Sequence, residues 1–250
     1  MINNYELLQY LDKVLDVNGY TDYCPNGLQI EGVTEIKHIT LGVSLSDQLI
    51  ERAINNNSQA ILVHHGIFWN KDTYDITGTK KKRIEKIIKY GINLYAYHLP
   101  LDNHPTFGNN ACLGKIIGIQ KLGTTGYQNL IWYGELEQAT SIAQLKIDIK
   151  SKLLRTPLVY ANSDNKLIKK IAWCTGGASD FFNHVLNMDI DLYITGEAAE
   201  PTMALACESG IAYMAAGHYA TERYGVQALG EELNKKFEIC FKYEELNNPV

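Results

Sequence analysis

One arrangement occurs twice in the chain, as INLYAYHLPLD at residues 92–102 and as IAYMAAGHYATE at residues 211–222. Each stretch begins with a short apolar run, which is typical of a buried β-strand. A histidine follows each run, and a carboxylate comes four residues after the histidine. The two pairs are His98 with Asp102 and His218 with Glu222. Imidazole and carboxylate groups at strand ends indicate a metal site.

A third apolar run, residues 60–63, leads directly into His64 and His65. Neighbouring side chains in a regular strand point to opposite faces of the sheet. Both imidazoles can therefore face one cleft only if the chain leaves strand geometry near Gly66, where a glycine makes a turn easy. Alternatively, each histidine serves a different ion. With these two residues the chain offers six candidate ligands, more than one ion usually needs.

Strands and helices alternate around these residues. The order β-α-β-α-β covers residues 36–97 and recurs in residues 168–216, as a duplicated unit would produce. This order predicts an α/β fold of two duplicated halves, residues 1–125 and 126–250, with mostly parallel sheets and right-handed crossovers. Ligands bind such sheets beyond the carboxyl ends of the strands, which is where the candidate ligands lie. We therefore expect a metal site in the cleft between the halves.

Several local features carry further predictions. Ser46-Asp47 and Ser179-Asp180 are expected to cap helices, and a last helix is expected over residues 222–235, with Glu222 in its first turn. Pro100 argues for a rigid loop between His98 and Asp102 rather than a helical face. The basic run of residues 80–83 is expected to be a solvated helix face.

The remaining histidines, His38, His104 and His184, are expected to be structural or surface residues. Among the candidate ligands, Glu222 is the predicted bridge between two ions, because a carboxylate can span a metal pair. Two divalent ions exceed the charge of Asp102 and Glu222, so a hydroxide and an anionic ligand such as phosphate would balance the site. Nitrogen and oxygen ligands without thiolate suit zinc, iron, manganese, cobalt or nickel.

Composition sets broad limits on partners and compartment. The 250 residues carry a net charge of −5, which argues against charge-driven nucleic-acid binding. No apolar run is long enough to span a bilayer, and the first residues do not form a signal peptide. The five cysteines are odd in number and widely spaced, which favours reduced, mostly buried thiols in the cytoplasm.

Seven phrases together resemble the NIF-three-like dinuclear metal-centre proteins, often named homologues of the type-two GTP cyclohydrolase. They span nearly the whole chain, and as a set they are highly specific. The phrases are DYCPNGLQ at 22–29, HHGIFW at 64–69, YHLPLD at 97–102, GNN at 108–110, TGGA at 175–178, TGE at 195–197 and GHYATERYG at 217–225.

The resemblance implies that five residues bind two metal ions per protomer, with His98 beside them. The implied ligands are His64, His65, Asp102, His218 and Glu222. It also implies a two-domain α/β protomer that assembles into a toroidal homohexamer with the metal sites facing inward.

Two classes of function follow from these residues. The first is a metal-dependent hydrolase of GTP cyclohydrolase type, in which a metal hydroxide attacks a small anionic or nucleotide substrate and His98 carries protons. In that case Phe68, Trp69 and Tyr74 stack on a base, or else they cover a sheet edge or subunit contact. Glu197 then orients a ligand histidine, or else it marks a helix start. The second class is a non-catalytic metal-binding protein, either a ring-shaped scaffold or a metal store.

Overall fold

The computed structural model describes residues 1–250, which form two compact units. Unit 1 comprises Met1–Gly108 and Gly225–Asn247, and unit 2 comprises Asn109–Tyr224 and Asn248–Val250. The strands are β1 (Ile2–Asn3), β2 (Gly27–Ile30), β3 (Glu35–Ile36), β4 (His38–Ser44), β5 (Ala60–His65), β6 (Asn93–Ala96), β7 (Ile119–Thr125), β8 (Ile131–Ser141), β9 (Leu158–Tyr160), β10 (Leu167–Trp173), β11 (Leu192–Thr195), β12 (Ala212–Ala215) and β13 (Cys240–Tyr243). The α-helices are α1 (Asn4–Val14), α2 (Asp47–Asn55), α3 (Gly78–Lys89), α4 (Leu99–Asn103), α5 (Asn109–Ile117), α6 (Ile142–Leu153), α7 (Phe182–Val185), α8 (Thr202–Ser209) and α9 (His218–Phe237).

Unit 1 is built on a five-stranded sheet in the order β13-β4-β5-β6-β2. The pairs β13–β4, β4–β5 and β5–β6 are parallel, and β2 joins the edge antiparallel to β6. Alternate residues of β5 enter different cores. Leu62 packs with α1 and α9, whereas Ile61 and Val63 pack with α2 and α3. Helices therefore cover both faces of the sheet, and β5 is a central strand buried between them.

Unit 2 is built on a six-stranded sheet in the order β7-β8-β10-β11-β12-β9. Only β10–β11 and β11–β12 pair in parallel. Ile194 of β11 packs in the core that α5 and α6 cover. Tyr193 points to the opposite face, where its ring stacks on Phe182 at a centroid separation of 5.7 Å. This sheet is also covered on both faces around its parallel centre.

The predicted α/β class is confirmed. The structure has two large sheets besides the two-stranded pair β1–β3, and the strand pairing is only partly parallel, where mostly parallel sheets were expected. Three strands without a sequence prediction, β2, β7 and β13, are edge strands of the two large sheets. An edge strand is half solvated, so it lacks the continuous apolar run that made β5 and β12 recognisable. The predicted halves 1–125 and 126–250 stay a prediction. In the structure, α5 and β7 belong to unit 2, whereas residues 225–247 belong to unit 1.

The two predicted Ser-Asp caps have different outcomes. Ser46 does cap α2, since its Oγ accepts from Leu49 N at 3.1 Å. Ser179 caps no helix by a side-chain bond, because residues 179–181 form a 3₁₀ turn before the short α7.

None of the helices combines the length and the apolar character that crossing a bilayer requires.

Candidate metal site

His64 is the most deeply buried of the candidate ligands in unit 1. It lies near the carboxyl end of β5, which is flanked by β4 and β6, and its side chain is 0% exposed. Its Nδ1 lies 2.9 Å from the carbonyl oxygen of Tyr97. A carbonyl oxygen can only accept, so Nδ1 carries the proton and Nε2 keeps its lone pair. That Nε2 lies 3.4 Å from Oδ1 of Asp102.

His65 and His98 bring their rings to the same place. Nδ1 of His65 lies 2.8 Å from Oγ of Ser44, the last residue of β4. The ring of His64 lies 4.5 Å from the ring of His65 and 4.9 Å from that of His98, centroid to centroid. One nitrogen from each of the three rings lies within 4.8 Å of the others. We call His64, His65 and His98 the histidine cluster.

The prediction of a loop between His98 and Asp102 is wrong. Residues 99–103 form α4, and Asp102 N donates to the His98 carbonyl at 3.0 Å. Pro100 is compatible with this helix because it occupies the first turn, where no N–H partner is needed. The first turn of α4 therefore holds Asp102 next to the histidine cluster.

Asp22 fixes His98 and was not singled out from the sequence. Its Oδ1 accepts from His98 Nδ1 at 2.9 Å, and its Oδ2 accepts from Leu99 N at 3.0 Å and from Asn26 Nδ2 at 2.9 Å. Asn26 Oδ1 in turn accepts from the backbone N of His98 at 2.7 Å. The loop of residues 22–27 (DYCPNG) therefore binds His98 through both its ring and its backbone N–H.

The electrostatics of Asp22 follow from these contacts. Burial alone would raise the pKa of its carboxyl. The hydrogen bond and charge of His98 outweigh burial, with help from Asn26 and Leu99 N, and lower the pKa to about 2. The ionised carboxylate accepts from Nδ1 of His98, which leaves Nε2 as the second functional nitrogen of the ring. Tyr23 Oη lies 3.5 Å from that Nε2.

Cys24 belongs to the same loop. Its Sγ, Asp22 and His98 form a second group whose possible ligand atoms lie within 4.8 Å of one another. Burial and the neighbouring Asp22 charge raise the pKa of the thiol. Without a bound metal ion the thiol is therefore held neutral.

In unit 2, His218 and Glu222 form an i,i+4 pair on α9, which begins four residues earlier than predicted. His218 Nε2 lies 3.1 Å from Glu222 Oε2, and Nδ1 lies 2.6 Å from Glu197 Oε1. Glu197 thus makes the orienting contact that the sequence suggested. Burial would lower the pKa of His218, but Glu222 and Glu197 outweigh it and raise the pKa to about 9.

The turn that follows β10 packs against this pair. Gly176, at φ +70°, follows β10, and a Cβ there would collide with Oε1 of Glu222. Its backbone N donates to Thr221 Oγ1 at 3.0 Å, and its carbonyl accepts from Thr195 Oγ1 at 3.0 Å. Gly176, the first of the two glycines in the TGGA phrase, is therefore needed for both the left-handed φ and the close approach of Glu222.

A common feature links the histidines of both units. In each case Nδ1 is held by an oxygen of the protein, and the other nitrogen, Nε2, is left for a different partner. The oxygens belong to Tyr97, Ser44, Asp22 and Glu197 for His64, His65, His98 and His218 respectively. Metal-binding histidines in proteins are typically oriented in this way. The nitrogen and carboxylate donors therefore fit divalent metal ions.

The three aromatic residues after the double histidine differ in their distance from the histidine cluster and in their exposure. Trp69 lies beside the histidine cluster, with its ring 5.3 Å from that of His98 and 5.8 Å from that of His65. Phe68 is half-buried nearby, under the ammonium group of Lys80. Tyr74 is 100% exposed.

The three histidines expected to be structural or surface residues lie in none of the candidate metal groups. His38 is exposed, His104 stacks on Phe107 at 3.7 Å, and His184 packs edge-on against Phe181. The cysteines only partly follow the prediction of buried thiols. All five are free, Cys24 and Cys174 are buried, Cys112 is half-buried, and Cys207 and Cys240 are exposed.

Almost the whole chain is similar to known proteins. The family model described as Duf34/NIF3 (NGG1p interacting factor 3) matches residues 2–248. A protein of Haemophilus influenzae named GTP cyclohydrolase 1 type 2 homolog is 43% identical over 251 residues, covering 100% of both chains.

Solved structures agree with this match. A protein called ybgI, described as of unknown function, superposes with a TM-score of 0.97 at 37% identity, with full coverage of both chains. The protein TTHA1606 from Thermus thermophilus superposes with a TM-score of 0.91 at 28% identity, again over both whole chains.

Proposed function

The chain belongs to the Duf34/NIF3 family, and on that premise we propose that it is a metal-dependent hydrolase that holds two divalent ions. The proposed ligands are His64, His65, Asp102, His218 and Glu222, with Glu222 as the bridge. The observation that carries the proposal is the shared orientation of the histidines, each held at Nδ1 by a protein oxygen.

The donor set also limits the choice of metal. Imidazole nitrogens and carboxylate oxygens suit zinc, iron, manganese, cobalt or nickel, and the proposed ligands include no thiolate. When bound, such ions supply an activated water and polarise the bond that is to be hydrolysed.

His98 is the proposed proton carrier. The Asp22 carboxylate fixes its ring through Nδ1, so Nε2 can take up and release a proton at one defined position. Imidazole is suited to this role because its ordinary pKa lies close to neutrality. Tyr23 Oη lies 3.5 Å from Nε2, where it can exchange a hydrogen bond with that nitrogen.

The proposed substrate is a small anionic molecule or a nucleotide, and Phe68 and Trp69 are the proposed contacts for it. The name of the Haemophilus relative refers to GTP cyclohydrolase, so ring opening or amide-like hydrolysis is the reaction class we propose. The position of Trp69, 5.3 Å from His98, supports this assignment because a ring stacked on Trp69 would be close to the proposed proton carrier.

We also propose a toroidal homohexamer, on the strength of the family resemblance. The net charge of −5 argues against broad, charge-driven binding of nucleic acid. Light scattering of the purified protein tests the assembly: a mass of six chains is expected, and a monomer would contradict it.

Metal analysis joined to a turnover screen tests the hydrolase. Freshly purified protein should contain about two divalent ions per chain and should hydrolyse GTP or related nucleotides and cyclic amides. His98→Ala should keep the metal and lose the activity. His38→Ala is the matched control, since His38 is exposed and lies in none of the candidate metal groups.

The outcomes separate the two classes of function. Two ions without turnover on any substrate would reject the hydrolase and favour a metal-binding scaffold or store. Full activity in His98→Ala would remove His98 from the reaction. Protein that neither contains metal nor can be reconstituted would reject the metal site itself.

A further inference from the structure

A cavity of about 440 Å³ opens in unit 1 after the double histidine. Phe68 and Trp69 line it, together with Pro25 and Cys24 from the loop that grips His98. Its volume falls within the range of small-molecule sites, which are concave and mostly apolar with a few polar groups. The cavity therefore has the size and lining of a ligand pocket.

Trp69 connects this cavity to the histidine cluster. Its indole ring lines the cavity and also lies 5.3 Å from the ring of His98. Tyr23, from the same loop as Pro25, lies 6.0 Å from Trp69 and 4.8 Å from His98, centroid to centroid. Trp69 therefore borders both the cavity and the histidine cluster, whereas none of the three imidazoles lines the cavity.

Lys80 adds a positive charge to the lining. The lysine is half-buried rather than part of a fully solvated face, and its Nζ lies 5.3 Å from the centre of the Phe68 ring. Nζ donates to the Thr73 carbonyl at 3.1 Å, and an ammonium group has three N–H donors, so two can reach a ligand. Asp72 also lines the cavity, so attraction for an anion is local to Lys80.

We propose that this cavity binds a flat aromatic ring that carries an anionic group. Phe68 and Trp69 stack on the ring, because aromatic faces attract flat heterocycles without requiring particular hydrogen bonds. Lys80 pairs with the anionic group. The inference rests on the proposed function in that it identifies the substrate class of the hydrolase, but the binding itself uses no metal ligand.

Calorimetry on metal-free protein tests the pocket with three probes: guanosine 5′-monophosphate, guanosine and ribose 5-phosphate. The monophosphate should bind more tightly than either fragment. Trp69→Ala should weaken the binding of both guanosine compounds about tenfold, as expected for the loss of one stacking contact. Trp69→Phe should retain most of the affinity, because a flat ring remains.

Lys80→Met separates the charge from the ring. It should weaken monophosphate binding about fivefold, the size expected of a partly exposed ion pair, and leave guanosine binding unchanged. High salt should remove the same part of the affinity. Lys82→Met is the matched control, since Lys82 is exposed on the same helix and lies outside the cavity.

Absence of monophosphate binding would overturn the inference. Equal binding by wild type, Trp69→Ala and Lys80→Met would overturn it as well. Because no metal and no turnover enter the measurement, a chain that binds the probe but hydrolyses nothing would reject the hydrolase and leave the pocket standing. Turnover without binding of the monophosphate would support the hydrolase and reject the pocket.

Discussion

Asp22→Asn tests how much the contact between the Asp22 carboxylate and His98 contributes to folding stability. The carboxylate is buried, with only 3% of the side chain exposed, and its pKa is lowered from the ordinary 3.8 to about 2. At about 1.36 kcal/mol for each pH unit, this depression corresponds to about 2 kcal/mol of folding stability at neutral pH. Asparagine keeps one acceptor but no charge, so we expect the variant to be less stable than wild type by about that amount.

The pH dependence gives the sign. A carboxyl whose folded pKa is lowered stabilises the protein above its unfolded pKa of 3.8, and this stabilisation is lost as the pH falls through 2. The stability gap between wild type and Asp22→Asn should therefore be constant from pH 7 to about pH 5. It should shrink to about half near pH 3.

Urea unfolding followed by far-ultraviolet circular dichroism measures the gap at pH 7, 5 and 3. Asp75→Asn is the control, because Asp75 is exposed in the loop before α3 and no pH-dependent difference is expected of it. The reasoning would be refuted by a variant as stable as wild type at pH 7, or by a gap that does not change between pH 5 and pH 3.

Three further predictions concern the pair on α9. Glu222→Ala should lose at least about one metal ion per chain while staying folded. Glu231→Ala is the control, because Glu231 is exposed on the same helix, and it should keep both metal ions. Unchanged metal content in Glu222→Ala would reject the assignment of Glu222 as the bridge. In metal-free protein, Glu197→Gln should lower the pKa of His218 below about 9, as an NMR titration of the imidazole would show. Since stability from a raised pKa is present below 6.5 and lost as the pH rises through 9, metal-free wild type should lose stability over that range and the variant should lose less. Gly176→Ala should cost about 1–3 kcal/mol in thermal or urea unfolding and should weaken metal retention, because the new Cβ displaces Glu222; wild-type behaviour in both measurements would contradict this.

The parts of the fold that the sequence predicts well are the ones buried on both faces. Strands β5 and β12 are continuous apolar runs, so their ends and the residues that follow them could be located from hydrophobicity alone. The edge strands β7 and β13 are partly exposed and contain polar residues, so hydrophobicity does not identify them as strands. The register that joins β13 to β4 depends on tertiary pairing across most of the chain, which periodicity does not encode.

The candidate site shows a similar division. Histidines and carboxylates at strand ends can be identified directly from the sequence, and the contact of Glu197 with His218 could also be suggested from it. Asp22 was missed because its carboxylate reaches His98 across 76 residues, from a loop whose turn-forming residues masked its chemistry. The signal available was its place at the head of DYCPNG, where a carboxylate and an asparagine occur within one turn. Pro100 misled because a proline in a first helical turn and a proline in a loop look alike in sequence.

The passage of the chain from unit 1 into unit 2 and back again sets an order of events during synthesis. Residues 109–224 leave the ribosome before β13 and the apolar residues Val226, Leu229 and Leu233 of α9, which complete the core of unit 1. Until then β4 is an open sheet edge and one helical layer of unit 1 is missing. Unit 1 is begun first and stays incomplete while residues 109–224 are made, so its unfinished sheet is exposed to aggregation during that time. Nonsense mutations near the 3′ end of the gene would for this reason unfold the part of the protein encoded at its 5′ end.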